Sequence, residues 1–272
     1  PSNSSAASDV YKRQRVGPEK FLLGEVWEDA TTKFGFNKRR TYLLGKGLDS
    51  VMNYPFKNAV LDFVKGKPAE QAMTEILTIC EHYPAPAMDT ALNFLSTHDT
   101  ERALTVIADE PANGRGRAWQ SGRCVTGDAY EEGLLRLRMA YAIIYTLPGV
   151  PCLYYGDEIA MQGYRDPFNR AFFRWDAHEQ RLRPVLAQLA QLRHTCEAFR
   201  TGQLRVLRAE DGILHYQRVG KVETAEIIVN RTEHIIVETL ASGKSTEVNP
   251  MGFTIVVEEV GHNPDHSYYD YV

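Results

Sequence analysis

The sequence lacks several features that assign a chain to a functional class at once. No stretch approaches the ~18 uninterrupted apolar residues of a membrane-spanning helix. The 31 basic and 35 acidic residues nearly balance, so charge gives no indication of nucleic acid or an anionic membrane as partner. With 272 residues, of which 24% are charged, we expect an ordinary globular chain long enough for an enzyme.

Cysteine is scarce and scattered. The four cysteines form no close pair: Cys80, Cys124, Cys152 and Cys196. This spacing fits neither a dense disulfide framework nor a zinc site, so we predict reduced thiols and a cytoplasmic location. His262 and His266 lie in a polar tail without periodicity. We interpret them as solvated side chains, and we predict no metal site.

Motifs of other enzyme classes are also missing. No G-x-S-x-G elbow is present, which disfavours a Ser–His–Asp hydrolase. GRGRAW (114–119) has the spacing of neither a P-loop nor a dinucleotide fingerprint, so we interpret its arginines as a solvated loop. Residues 1–14, PSNSSAASDVYKRQ, are small, polar and patternless. We predict a disordered or non-native leader there.

From residue 21 onward, one pattern recurs: a short apolar run ends in polar side chains, and a helical stretch follows. The runs are FLLGEVWED (21–29), LDSVMNYPF (48–56), ALNFLSTHDTE (91–101) and GVPCLYYGDE (149–158). Apolar spacing predicts helices over 68–83, 130–149 and 180–202. Strands alternating with helices predict an α/β fold with a parallel sheet, in which functional groups lie at the carboxyl ends of the strands.

The sequence pattern changes after Gly202, from helical spacing to short β-branched runs. Five short β-branched runs follow, at 204–209, 212–219, 225–230, 234–240 and 253–260. They are separated by turn-forming residues and predict an antiparallel β-sandwich domain over 203–261. We place the domain boundary near residue 202 and treat 262–272 as a tail.

Glu25 and Asp99 are the carboxylates best placed for chemistry. Each follows an apolar strand, where we expect partial burial, and burial favours the protonated form that a general acid needs. His98 could donate to a sugar hydroxyl, and Trp27 could stack on the apolar face of a sugar. Position alone also fits structural roles, in which both carboxylates cap helices.

At these residues the sequence resembles the α-amylase family of glycoside hydrolases, family thirteen. LLGEVW (22–27) resembles the motif of the family's fifth barrel strand, which implies that Glu25 is the general acid/base. FLSTHDT (94–100) resembles the seventh-strand motif, which implies Asp99 as transition-state stabiliser and His98 as a sugar ligand. VMNYPF (51–56) and GYRDPFNR (163–170) point to the neopullulanase, cyclomaltodextrinase and maltogenic-amylase branch.

The resemblance implies strands five to eight of a (β/α)8 TIM barrel over 15–202, followed by the β domain. It also implies retaining hydrolysis of α-1,4-glucosidic bonds in cyclomaltodextrins, maltodextrins or pullulan, by double displacement. Cyclomaltodextrin or an α-glucan oligosaccharide would be the partner. Further substrate-binding candidates are Trp27, Tyr54, Asp157, Tyr164, Asp166 and Arg170.

One departure from the family is as informative as the match. The family's nucleophilic Asp lies in a G-x-R-x-D motif, and neither this motif nor an Asn-His motif precedes Glu25. We therefore expect a truncated chain that lacks the nucleophile and is inactive alone, since four strand–helix units cannot close a barrel. The residues present require no cofactor. Calcium and homodimerisation remain options for a full-length parent.

Two alternatives stay open at this point. The first is an α-glucanotransferase of the same family, because only the acceptor, water or sugar, differs between the two reactions. Branching and sucrose-acting relatives share both carboxylates as well. The second is a non-catalytic carbohydrate-binding fragment, completed by a partner that supplies the missing half.

Overall fold

The computed structural model describes residues 17, 19–35, 37–45 and 47–260, and the backbone of a further strand. The strands are β1 (Leu23–Gly24), β2 (Phe34–Gly35), β3 (Lys38–Arg39), β4 (Ser50–Val51), β5 (Leu92–Asn93), β6 (Val150–Pro151), β7 (Gln203–Glu210), β8 (Ile213–Val219), β9 (Glu223–Asn230), β10 (Ile236–Thr239), β11 (Ser245–Val248), β12 (Gly252–Glu259) and β13 (Ser267–Tyr271). The α-helices are α1 (Tyr54–Lys65), α2 (Ala69–His82), α3 (Ala85–Asp89), α4 (Ala103–Ala108), α5 (Arg117–Ser121), α6 (Gly127–Thr146), α7 (Leu182–Thr195) and α8 (Ala198–Thr201).

Four short parallel strands lie side by side in chain order. β1 pairs with β4, Met52 at the end of β4 bridges Leu92 in β5, and β5 pairs with β6. Buried amides extend the contact beyond the ladder, since Asn53 Nδ2 donates to Asn93 Oδ1 at 2.9 Å and Asn93 Nδ2 donates to the Pro148 carbonyl at 2.7 Å. Each predicted apolar run therefore contains one strand of a parallel set.

The helices that connect these strands begin and end where the sequence provides caps. Asn53 Oδ1 accepts the Phe56 N–H at 3.3 Å and so caps α1. The same helix ends at Gly66, whose φ of 131° suits glycine. α2 and α6 confirm the predicted helices at 68–83 and 130–149. The helix predicted over 180–202 is divided into α7 and α8.

The first strand departs from the predicted pattern. The structure has no helix in residues 25–35, 37–45 and 47–49, where a helical stretch was expected after the first apolar run. An antiparallel pair, β2 with β3, lies there instead. The segment is rich in threonine, glycine and basic residues and has no 3.6-residue apolar period, so no helix face could be buried.

The antiparallel part contains a five-stranded sheet in the order β13-β12-β9-β8-β7 and a separate hairpin, β10 with β11. All five predicted β-branched runs contain strands. β11 was not predicted, because STEV is short and mostly polar. β13 lies in the segment interpreted as a tail and pairs antiparallel with β12.

The inner strands of the five-stranded sheet, β8, β9 and β12, are buried on both faces. Tyr216 and Ile227 on one face belong to the same apolar cluster as Ile143 of α6. Ile228, on the opposite face, packs with Leu240 and with other residues beneath the hairpin. Polar contacts join the same layers, since Arg218 Nη1 donates to the Thr146 carbonyl at the end of α6 at 2.7 Å. The larger apolar cluster therefore contains residues from both sides of residue 202.

Two other expectations concern the whole chain. Among the described helices, none is long and apolar enough to cross a membrane. The four cysteines are free, as predicted from their spacing.

Candidate active site

Two carboxylates come together beyond the carboxyl ends of the parallel strands. Glu25 directly follows β1, and Asp99 lies in the loop after β5. Ligand atoms of Glu25, His98 and Asp99 all lie within 4.8 Å of one another. The pattern of strand-end carboxylates thus predicted a real spatial cluster, built from residues that are more than seventy positions apart in the chain.

Glu25 is held by two neutral donors on one oxygen. Tyr54 Oη donates to Glu25 Oε1 at 3.0 Å, and Trp27 Nε1 donates to the same oxygen at 3.2 Å. The Trp27 and Tyr54 rings stack with centroids 4.5 Å apart, while Trp27 stays 47% exposed. Burial, reinforced by the charges of Glu25 and Asp99, raises the pKa of Tyr54 to about 12. The phenol therefore remains a donor throughout the neutral range.

Asp99 lies between a cation and a histidine. Arg170 Nη2 donates to Asp99 Oδ1 at 2.9 Å, and His98 Nε2 lies 3.0 Å from Asp99 Oδ2. Both carboxylate oxygens are thus oriented, although the side chain remains about one-third exposed at 35%. The partial burial expected for both carboxylates is found for Asp99, whereas Glu25 is exposed.

The cap roles considered for the two carboxylates are wrong in the described part of the chain. α4, the helix after Asp99, begins behind Arg102 without a side-chain cap. Glu25 is followed by the β2–β3 pair rather than by a helix. Neither side chain therefore stabilises a helix end in the described part of the chain.

The candidates for the rim of the cleft divide into two groups. Trp27, Asp166 and Arg170 are exposed, and Arg170 directly contacts Asp99. The other three are buried, with exposures of at most 3%, so the structure does not place them on the rim: Tyr54, Asp157 and Tyr164.

Each buried candidate has an internal partner that explains its position. Tyr54 lies behind Glu25, as described above. Asp157 accepts from Tyr141 Oη at 2.6 Å and pairs with Arg102 at 3.1 Å. Burial raises the pKa of Asp157, and the bonds from neighbouring donors oppose that shift. Tyr164 Oη donates to the Glu110 carbonyl at 2.5 Å. Tyr54 and Asp157 thus support the site from inside the fold, whereas Tyr164 is bonded to the segment around Glu110.

Sequence reasoning missed two fully buried residues behind the site, Arg102 and Asn169. The Arg102 guanidinium lies over the Tyr154 and Tyr155 rings, and its Nε donates to the Asn169 carbonyl at 3.0 Å. Arg102 follows the apolar run at 91–101, and Asn169 lies in the motif at 163–170. No rule of sequence spacing distinguishes them from their exposed neighbours, so their role in supporting the site is recognised from their burial in the structure.

The cluster of Glu25, His98 and Asp99 has ligand spacing suited to a metal ion. The donor set argues against a divalent cation, because Asp99 already faces the Arg170 guanidinium and Glu25 already accepts two hydrogen bonds. Oriented carboxylates beside an exposed indole suit a neutral, hydroxylated ligand better. His262 and His266 lie outside the described residues.

A buried lysine in α1 gives a testable effect on stability. Lys57, in α1, is only 7% exposed, and burial lowers its pKa to about 8, with partial compensation by Glu101 and Asp62. The unfolded chain therefore binds more protons between pH 8 and 10.5, so the free energy of unfolding should rise with pH through that window.

Lys57→Met removes this charge and should stabilise the chain by about 2–3 kcal/mol at pH 7. The gain should shrink as the pH rises from 8 to 10.5 and vanish above that range, where the wild-type amine is neutral in both the folded and the unfolded state. Urea unfolding at several pH values measures both effects. Lys65→Met, at the exposed end of the same helix, is the matched control and should leave the pH slope unchanged. A pH-independent gain for Lys57→Met would contradict this account.

Parallel strands that end in a pair of carboxylates beside an exposed indole are typical of carbohydrate-cleaving enzymes. The family described as "Alpha amylase, catalytic domain" matches residues 5–195 of this chain. The chain therefore belongs to the α-amylase family of glycoside hydrolases.

Curated relatives and solved structures agree with this membership. A cyclomaltodextrinase of Geobacillus thermopakistaniensis is 32% identical over 221 residues, which cover 79% of this chain and 32% of the relative. An amylopullulanase of Thermoanaerobacter thermohydrosulfuricus is 31% identical over 219 residues, which cover 75% of this chain and 13% of the relative.

A solved cyclomaltodextrinase structure superposes with a TM-score of 0.68 at 28% identity, over 85% of this chain and 35% of that one. The chain thus spans about a third or less of the length of these relatives.

Proposed function

We propose that this chain contributes the acid/base side of a retaining α-glucan hydrolase site. In this proposal Glu25 is the general acid/base, Asp99 stabilises the charged transition state, and His98, Arg170 and Trp27 contact the sugar. The observation that supports it most directly is the convergence of Glu25 and Asp99 within 4.8 Å beside an exposed indole. Its substrates are α-1,4-linked cyclomaltodextrins, maltodextrins or pullulan.

The environments of the two carboxylates support different roles. Glu25 is exposed, and its donors among the described residues are neutral and both bind Oε1, so the second oxygen can face a departing glycosidic oxygen. Asp99 is oriented by a guanidinium, which suits a fixed negative charge close to an oxocarbenium-like centre. A neutral glucan also needs no electrostatic steering, in keeping with the formal charge of −4.

We further propose that the four parallel strands are strands five to eight of an eight-stranded barrel. Support comes from their side-by-side order along the chain and from relatives that are about three times longer than the matched region. The nucleophilic aspartate then comes from residues outside these 272, which contain no G-x-R-x-D motif. The site is complete only when both halves are present.

The test compares the product of the whole reading frame, from its own start codon, with the 272-residue chain. Both are incubated with cyclomaltodextrin and maltoheptaose, and proton NMR follows the anomer released first. We expect α-anomeric glucose or maltose from the whole product and no turnover by the chain alone. An initial β-anomer would overturn the retaining mechanism, and full turnover by the chain alone would overturn the external nucleophile. The ratio of hydrolysis to transfer products distinguishes a hydrolase from a transferase.

A further inference from the structure

The turn formed by residues 97–100 contains both His98 and Asp99, and the buried side chain of Asn169 hydrogen-bonds to its backbone. Asn169 Nδ2 lies 3.2 Å from the Thr97 carbonyl oxygen, 2.7 Å from that of His98 and 2.8 Å from that of Thr100. The Asn169 side chain is fully buried. Three carbonyls of one turn thus converge on a single amide group.

The side-chain amide of Asn169 provides hydrogen-bond donors to the carbonyl oxygens of this turn. Buried carbonyl oxygens need donors, and an amide nitrogen supplies two hydrogens that three acceptors can share. Inside the turn, only the threonine hydroxyls assist, since the Thr97 N–H donates to Thr100 Oγ1 and the Asp99 N–H donates to Thr97 Oγ1, both at 3.2 Å. The Thr97 and Thr100 carbonyls accept from Asn169, and the His98 carbonyl accepts from both Asn169 and Arg170.

Buried contacts also fix the backbone of Asn169. Arg102 Nε donates to the backbone carbonyl of Asn169 at 3.0 Å. The Arg102 guanidinium pairs with Asp157, which accepts a hydrogen bond from Tyr141. On the solvent side, the next residue, Arg170, donates from Nε to the His98 carbonyl at 2.8 Å. The chain of contacts therefore leads from the buried Tyr141 to the turn that presents Asp99.

We propose that Asn169 is a positioning residue that fixes Asp99 and His98 for the transition state. The inference rests on the proposed hydrolase function and adds to it a residue that does not touch the sugar. Asn169 acts through the backbone of the turn, while Arg170 orients the Asp99 carboxylate directly. Loss of the amide donor leaves the carbonyls facing one another and shifts Asp99.

The decisive variant is Asn169→Asp, which keeps the size of the side chain and replaces its donor by an acceptor. In the whole reading-frame product, we expect kcat to fall by about 10²-fold, as for a misplacement of about 1 Å, with KM nearly unchanged. The loss should be equal for maltoheptaose and maltosyl fluoride, because Asp99 acts whatever the leaving group. Asn58→Asp, on the exposed face of α1, is the matched control.

A double-mutant cycle distinguishes positioning from a general loss of stability. Combined with Asp99→Asn, the Asn169→Asp change should cost less than about twofold more. Full multiplication of the two losses would overturn the proposal. If the aspartate variant does not fold, Asn169→Ser, which retains one donor, should give the same pattern with a smaller loss. Equal activity of Asn169→Ser and wild type would also overturn it.

Hydrogen exchange supplies a readout that is independent of activity. Asn169→Asp should speed amide exchange at residues 97–100 and leave β8 and β9 as protected as in wild type. Unchanged exchange at the turn together with lost activity would overturn the proposal. The wild-type product could instead hydrolyse no α-glucan while Asn169→Asp still speeds exchange at residues 97–100. That result would refute the proposed function and leave the structural role of Asn169 in the turn intact.

Discussion

Replacing Glu25 by glutamine in the whole reading-frame product is expected to lower hydrolysis of maltoheptaose by about 10³–10⁴-fold. Glutamine retains an oxygen that accepts from Tyr54 and Trp27, but it cannot deliver a proton to the departing oxygen. Maltosyl fluoride should still react in the first step, since fluoride leaves without protonation. A burst of fluoride followed by slow turnover, measured with a fluoride electrode, is therefore expected.

Azide separates the acid/base role of Glu25 from other roles. Azide needs no general base, so it should restore steady turnover of maltosyl fluoride by Glu25→Gln and yield the α-configured azide. A β-configured product would instead identify Glu25 as the nucleophile, and an absence of rescue would contradict the acid/base assignment. Glu28→Gln is the matched control, because Glu28 is exposed on the same loop and pairs with Lys33. It should retain full activity.

Asp99→Asn is expected to lower turnover of both substrates by about 10²–10³-fold. The carboxylate stabilises positive charge at the anomeric centre, a contribution that does not depend on the leaving group. Initial rates with maltoheptaose and maltosyl fluoride measure the loss, which should therefore be similar for the two substrates.

Two comparisons make the Asp99 result specific. Azide should restore nothing, because no proton transfer is missing in this variant. Asp176→Asn changes an exposed carboxylate that contacts Arg174 at 3.3 Å, and it should behave as wild type. A variant at Asp99 that azide rescues, or that loses activity with maltoheptaose alone, would place Asp99 in the acid role instead.

The sequence was informative where the determinants are local. The four apolar runs located β1, β4, β5 and β6, because a buried parallel strand requires a continuous apolar segment. The polar residues after these runs included Glu25 and Asp99, since the ends of parallel strands open at one edge. The helix predicted after the first run was wrong, because the pattern was extended to a segment without helical periodicity.

The sequence could not predict which polar side chains turn inward. Asp157 is buried because it meets Arg102, which is 55 positions away, and Tyr164 is buried against Glu110, which is 54 positions away. The grip of Asn169 spans about 70 positions. No local pattern encodes such partners, because burial of a polar group depends on a donor or acceptor brought close by the fold.

Because apolar residues on both sides of residue 202 share one cluster, truncating the chain after the parallel strands should destabilise what remains. Removing the antiparallel sheet would expose the apolar side of α6 to water and would take away Arg218, the donor that serves the last carbonyl of that helix. The same helix leads directly into β6, and Tyr141 within it supports Asp157. The antiparallel sheet therefore helps to hold α6, and through Tyr141 it helps to hold the buried contacts behind the candidate site.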